Sequence, residues 1–316
     1  MQSDTLVRMN NLKKYFPTSS GMLHAVDGIN MEIKKGSTLG IVGESGCGKS
    51  TLGRLLIRLL EPTDGEVYFN GDNILTLDNA QMKAARTKMQ MIFQDPYASL
   101  NPRMTVAQTI AQPMKVNKMY QTSDDIQARV EELMETVGLA ERYEASYPHE
   151  LDGGRRQRIG IARALSLNPE FIVCDEPVSA LDVSIQAQIL NLMMDLQEQM
   201  ELTYMFITHN LSVVKHISDE IAVMYLGQCV EKCDSKELFK NPLHPYTKAL
   251  LDAIPTPVLK ANKERKIIRG EITSPINPQP GCRFAPRCPH AGEKCVGEEI
   301  EFKEVSPGHF CQCVLF

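Results

Sequence analysis

No stretch of this chain reaches the about 18 consecutive apolar residues that a membrane-spanning helix needs. The richest candidate, Leu52 to Leu60, is broken by Arg54 and Arg58. The N-terminal stretch from Met1 to Phe16 is polar and lacks the apolar centre of a secretory signal. An excess of basic charge is missing too. Lys and Arg number 34 against 39 Asp and Glu, a net charge of −5, which argues against a nucleic-acid binder working through a basic surface. Neither a repeat at solenoid periods nor a low-complexity run is present. The chain is expected to stay in the cytoplasm. Its 316 residues and 43% hydrophobic content suit about two domains and a large core that needs no disulfides.

The nine cysteines do not read as a secreted disulfide framework. Cys47, Cys174, Cys229 and Cys233 are scattered, whereas Cys282, Cys288, Cys295, Cys311 and Cys313 crowd into the C-terminal end. An odd total clustered at one end points to metal or cluster binding by a separate module.

Residues 5 to 42 alternate short apolar stretches with turns, ending in Leu39-Gly-Ile-Val42. A helix is predicted from Lys49 to Leu60, stopped by Glu61-Pro62. Val67-Tyr-Phe69 before Asn70-Gly71 predicts a strand entering a tight hairpin. The spacing of Ile126, Val130, Leu133, Met134 and Val137 predicts a helix over about 123–138, and further helices are predicted over 153–167 and 185–200. Buried strands are expected at Phe171–Cys174 and Tyr204–Thr208, and a strand pair around Gly227. This alternation implies an α/β fold whose parallel strands are covered on both faces. Proline becomes frequent after Lys240 (Pro242, Pro245, Pro255, Pro257, Pro275), which places a boundary near 235–245.

Gly43-Glu-Ser-Gly-Cys-Gly-Lys49-Ser50 fits the phosphate-loop pattern G-x-x-x-x-G-K-[ST] between an apolar strand and a helix. Gly43, Gly46 and Gly48 let the backbone N–H groups of Glu44, Ser45, Cys47 and their neighbours turn onto one anion, and the helix start through Thr51 adds its dipole. Lys49 would reach the β- and γ-phosphates of ATP, with the Ser50 hydroxyl on Mg²⁺. Asp175, ending an apolar strand, suits the Mg²⁺ shell, and Glu176 after it is placed to orient or deprotonate a water. Nucleotide hydrolysis is the expected chemistry.

With these motifs the chain resembles the ATP-binding-cassette (ABC) ATPases over most of its length. Gln94 looks like that family's Q-loop glutamine, which touches Mg²⁺ and the membrane partner. Leu151-Asp-Gly-Gly-Arg155 sits where the family has L-S-G-G-Q, Asp182 looks like its D-loop residue, and His209 like its switch histidine. Phe16, or its neighbour Tyr15, stands where the family stacks adenine. Each has a plain alternative in isolation; Asp182, for one, would serve equally well as a helix cap. The order and spacing of five elements carry the resemblance. It implies a P-loop ATPase core with an antiparallel β subdomain, an α-helical subdomain over about 90–160, and a small Cys-rich C-terminal module: 1–240 as the nucleotide-binding domain and 241–316 as that module.

Asp95-Pro-Tyr-Ala-Ser-Leu-Asn-Pro-Arg103 and Asn241-Pro-Leu-His-Pro-Tyr-Thr247 resemble the oligopeptide and dipeptide import ATPases, which share them with nickel importers; the opening Leu12 to Phe16, with Ala25-Val-Asp-Gly28, resembles the second ATPase subunit of such systems. The resemblance implies an ATPase peripheral to the cytoplasmic face of the membrane, docked on two permease subunits. Beside it would stand a second homologous ATPase, with a substrate-binding protein acting indirectly and no nucleic acid involved.

The signature departs from the family's pattern. Asp152 stands for the serine and Arg155 for the glutamine, while Gly153 and Gly154 are kept. Asp caps a helix about as well as Ser, but a carboxylate at ~4 Å from a phosphate charge, at an effective dielectric of ~20, is repelled by about 4 kcal/mol. Arg155 or Mg²⁺ would offset part of this. A weakened site on one side favours a heterodimer, the alternative being a tolerated variant.

Cys282, Cys288 and Cys295, followed after 15 and 17 intervening residues by Cys311 and Cys313, can supply four thiolates to Zn²⁺ or a [4Fe–4S] cluster. Gly281 to Pro289 resembles the C-terminal segment of the peptide importers, which implies the iron–sulfur cluster. Cys313, four residues after His309, is then the fourth ligand, with Cys311 as the alternative. His290 and His309 are read as solvent-facing bystanders. Rival readings are a soluble ABC protein of DNA repair, a translation-associated ABC protein and a non-catalytic regulatory subunit. No basic DNA-facing surface, a single phosphate loop, and the presence of Glu176 and His209 speak against them in turn.

Overall fold

The computed structural model describes residues 4–254 and 274–316; Pro255 and Pro257 of the proline-rich stretch lie outside them. In chain order the elements begin with β1 (Thr5–Thr18), β2 (Gly21–Lys34), β3 (Thr38–Val42), α1 (Lys49–Leu56), β4 (Asp64–Phe69) and β5 (Asp72–Asn73). Next come α2 (Asn79–Lys88), β6 (Met89–Ile92), α3 (Pro96–Ser99), α4 (Val106–Asn117), α5 (Ser123–Thr136) and α6 (Gly153–Leu165). They are followed by β7 (Phe171–Asp175), α7 (Val183–Met200), β8 (Thr203–Ile207), α8 (Leu211–Ile217), β9 (Glu220–Tyr225) and β10 (Gln228–Asp234). The chain ends with α9 (Ser235–Lys240), α10 (Pro245–Asp252), β11 (Lys303–Ser306) and β12 (His309–Cys311). No described helix is long and apolar enough to cross a membrane.

The described residues form two compact units, one drawn from 1–33, 38–75 and 208–316 and the other from 34–37 and 76–207. In the first, β2, β1, β4 and β5 make an antiparallel sheet, with Val7 opposite Phe69 and Met9 opposite Val67. The predicted hairpin is its β4–β5 edge, turned by Asn70 and Gly71. A second set of strands runs β11-β12-β10-β9-β3. β3 and β9 are parallel, whereas β10 and β12 add antiparallel neighbours, so the sheet is mixed rather than purely parallel. Val42, Val223, Tyr225, Leu238, Tyr246 and Phe284 share one buried core, which draws residues from both sides of the boundary expected near 235–245.

Glu231 explains part of that continuity. Fully buried on β10, its carboxylate accepts from the backbone N–H groups of Leu243 (2.7 Å) and His244 (2.9 Å) where α10 begins, and meets His309 Nε2 at 2.8 Å. A buried charge persists only with such partners. His309, expected to face solvent, is therefore 2% exposed. His290 is exposed, as expected.

The second unit holds β8, β7 and β6 as parallel neighbours, with α2 to α7. Its helices begin where side chains satisfy the first-turn N–H groups: Asp78 and Thr105 close capping boxes with Gln81 and Gln108, and Thr122 caps α5. The helix predicted over 123–138 ends at Thr136, and the one over 153–167 at Leu165. In the first unit α1 stops at Leu56 rather than Leu60. Arg58 adopts φ +50°, which breaks the helix, and its guanidinium donates to the Ile74 carbonyl at 2.9 Å.

Candidate nucleotide site

β3 delivers the phosphate loop. All five of its residues are buried, and the chain then turns through 43–48 into α1. Gly48 is the cap of α1 at φ +104°, and a Cβ there would lie 2.0 Å from the Ala25 carbonyl oxygen. Gly43 is equally confined, its imagined Cβ 2.2 Å from the Met224 oxygen. Only glycine fits either position. Lys49 is buried, its ammonium donating to the carbonyls of Gly43 (2.8 Å) and Glu44 (2.9 Å). Ser50 and Thr51 are half-buried on the first turn, while Ser45 and Gly46 are exposed. The turn after β9 supports the loop, the Gly227 N–H donating to the Cys47 carbonyl at 2.8 Å.

His209 belongs to the same unit. Thr208 N–H donates to Ile41 O at 3.1 Å, so the exposed His209 follows directly on a bond to the strand that feeds the phosphate loop. Tyr15 and Phe16 are both half-buried on β1. The Tyr15 ring stacks on His24 at 3.9 Å and its hydroxyl donates to Asp27, whereas the Phe16 ring lies beneath Lys14 Nζ at 5.0 Å.

In the second unit, β7 ends at the buried Asp175, paired in register with Ile207. Glu176 follows at φ +47°, its N–H bonded to Ile207 O at 3.0 Å and its carbonyl accepting from Ser179 Oγ at 3.1 Å. A glutamate held in the left-handed region stores about 1–2 kcal/mol, the kind of strain that marks functional positions. Gln94, two residues beyond β6, donates from Nε2 to Glu176 Oε2 at 3.1 Å. The two residues meet as the parallel register of β6 and β7 requires.

The signature opens α6. Asp152 caps it, Oδ1 accepting from Arg155 N–H at 2.8 Å, and Oδ2 pairs with the Arg155 guanidinium, which also lies over the Tyr143 ring at 4.8 Å. Gly153 and Gly154 face Leu181 and Ile185, where a Cβ would come within 3.1 and 2.8 Å. Asp182 precedes α7 as its cap residue, yet its exposed carboxylate makes no capping bond.

Cys282, Cys288, Cys295 and Cys313 line one cavity with Phe284 and His290; Cys311 is not among its walls and lies fully buried on β12. Burial, reinforced by the neighbouring thiols, pushes Cys282 up to about 11. Burial likewise raises Cys288 and Cys313.

Four side chains reach this region unheralded by any motif role. Arg287 donates to both oxygens of Glu44, at 2.9 and 3.2 Å, and Tyr246 Oη accepts from the Glu44 N–H at 3.0 Å. Arg283 pairs with Asp27 and donates to the Leu226 carbonyl. Their signal lay in the stretches 25–28, 241–247 and 281–289, which the resemblance picked out without assigning these residues a task.

Two family models match: "ABC transporter" over residues 26–179 and "Oligopeptide/dipeptide transporter, C-terminal region" over 230–295. The chain is 52% identical to the oligopeptide transport ATP-binding protein AppF of Bacillus subtilis, across 99% of this chain and 98% of that one. It is 47% identical to the dipeptide transport ATP-binding protein DppF of Haemophilus influenzae, across 99% and 97%. Among solved structures, a dimeric ATP-binding cassette in a post-hydrolysis state with ADP and Pi superposes with a TM-score of 0.67 at 29% identity, covering 73% of this chain and 99% of that one. The loop at Lys49, the strained Glu176 beside Gln94 and these likenesses agree, and the chain belongs to the ABC-transporter ATPases, in their oligopeptide/dipeptide branch.

Proposed function

We propose that this ATPase drives import of di- and oligopeptides, working at the cytoplasmic face of the membrane on two permease subunits beside a second, different ATPase. The observation that carries the reading is the Gln94–Glu176 contact in a chain so close, end to end, to peptide-transport ATP-binding proteins.

In this reading Lys49 and the N–H groups of 44–51 hold the phosphates, and His209 positions the γ-phosphate. Ser50, Gln94 and Asp175 offer Mg²⁺ the hard oxygen donors it prefers. Glu176 takes the proton of the attacking water, with Gln94 fixing its carboxylate. Tyr15 is committed to His24 and Asp27, which leaves Phe16 as the adenine platform. Gly153 and Gly154 at the start of α6 face the nucleotide of the partner ATPase, and Asp182 takes part in binding ATP. The Asp152 carboxylate, carrying Arg155 with it, weakens that composite site, which is why two unlike ATPases suit this chain better than two copies. Phe93 and Tyr97, exposed on either side of Gln94, suit contact with the permeases, and a binding protein outside the membrane would deliver the peptide.

We read the four-cysteine cavity as the site of a [4Fe–4S] cluster. Its donors would be four sulfurs, with Cys313, which lines the cavity, as the fourth. Among the described residues no three of these thiols lie within 4.8 Å of one another. Tetrahedral zinc, with Zn–S near ~2.3 Å, is the alternative group for the same four sulfurs. Such a cluster would crosslink the C-terminal loops; hydrolysis itself does not pass through it.

Co-expression with candidate permease and ATPase subunits tests the reading. Copurification of all four, with peptide uptake into vesicles that requires ATP, is the expected result. A chain that hydrolyses ATP alone and retains no membrane subunit would overturn it.

A further inference from the structure

The loop that carries Cys282 and Cys288 also carries the two arginines that grip the nucleotide-binding surface. Arg287, next to Cys288, sits 7% exposed and holds Glu44 of the phosphate loop with two parallel bonds, at 2.9 and 3.2 Å. The same guanidinium reaches the Tyr225 hydroxyl at 3.3 Å, and Tyr246 holds the Glu44 N–H. Bidentate pairing of a buried guanidinium fixes direction as well as distance.

Arg283, next to Cys282 and also 7% exposed, pairs with Asp27, which takes the Tyr15 hydroxyl and His24 Nδ1 (2.9 Å) as well. It donates to Leu226 O in the turn whose Gly227 N–H supports Cys47. One short segment, 282–288, therefore touches the phosphate loop through one arginine and, through the other, Asp27 on β2, whose carboxylate accepts the Tyr15 hydroxyl.

We propose that Arg287 and Arg283 are positioning residues for the nucleotide site, and that through them the state of the four-thiol loop sets how tightly this chain holds MgATP. The second half rests on the reading of Cys282, Cys288, Cys295 and Cys313 as one ligand set. A loop pinned by its ligand presents both arginines in place. A loop released from it has to be ordered when nucleotide binds, and affinity falls by that cost.

The test uses the purified full chain, its iron and zinc content measured, and titration with a fluorescent ATP analogue in Mg²⁺ without turnover. Arg287→Gln is expected to weaken binding about fivefold, Arg287→Lys to recover part of the loss, and Glu44→Gln with Arg287→Gln to be no weaker than the worse single variant. In the assembled transporter, Arg287→Gln should raise KM for ATP more than it lowers kcat. Stripping the metal with a chelator should weaken the parent by a similar factor and add little to Arg287→Gln. Binding by Arg287→Gln equal to the parent's, or additive losses in the pair, would overturn the positioning role. Unchanged affinity after stripping would overturn the thiol link alone. A chain isolated without iron or zinc would instead overturn the ligand-set reading, and the arginine variants would still decide the positioning role.

Discussion

The Gln94 side-chain amide donates to Glu176 Oε2 at 3.1 Å, placing a neutral donor against the carboxylate that follows Asp175. Gln94→Glu would set a second carboxylate at that distance, and like-charge repulsion would favour one proton shared by the pair over two adjacent charges. The acid limb of the rate profile should move alkaline, and Gln94→Ala should slow turnover without moving it. Steady-state hydrolysis between pH 5.5 and 9 checks both.

Glu176 at φ +47° pays for its position in backbone strain. In Glu176→Gly the relief of about 1–2 kcal/mol is opposed by the extra chain entropy of glycine, about 0.5–1 kcal/mol. Thermal unfolding should show stability held or slightly raised while hydrolysis is lost. A clear destabilisation would mean the strain is not real.

Asp152 caps α6 and pairs with Arg155, both side chains well exposed at 58% and 41%. An exposed pair is worth about 0–1 kcal/mol, and serine caps comparably. Asp152→Ser should therefore leave stability within about 0.5 kcal/mol while raising turnover of the assembled ATPase pair severalfold. Counting turnovers at each composite site separates the two nucleotides; equal hydrolysis at both in the parent would contradict the asymmetry.

Asp27 is an acid-sensitive group beside Tyr15. Burial alone would raise its pKa, but bonds from Tyr15 and His24 and the charge of Arg283 outweigh it and hold the carboxyl below its ordinary value. The unfolded chain binds this proton more readily, so the stabilisation is present at neutral pH and lost as pH falls from about 4 through the depressed value. Asp27→Asn should lower stability at pH 7 and flatten the loss below about pH 4, measured by urea unfolding across pH.

Glu231 joins three elements through one carboxylate. Glu231→Ala leaves the N–H groups of Leu243 and His244 and the His309 ring without that acceptor in a buried site, at a cost of about 3 kcal/mol. Denaturant midpoints check it.

Local patterns carried far in the sequence. The strand, glycines, Lys49 and Ser50 lie within one short run, so their spacing alone announced the phosphate loop. Asp175 and Glu176 were legible because a fully apolar strand ended at them. Contacts between distant residues were not legible in this way. Arg287 and Glu44 are 243 positions apart, and no periodicity links them. The helix α4 has its Thr105–Gln108 capping box in plain view but carries Pro113 inside, which obscured it. His309 looked like a surface residue because its partner, Glu231, is itself an acid that sequence alone places outside.

ATP turnover by the copurified complex, parent against Glu176→Gln, tests the central claim most directly. The account predicts that the variant binds the fluorescent ATP analogue like the parent while kcat falls by roughly 10²–10⁴-fold, the span expected for a lost general base. Turnover equal to the parent's would contradict it.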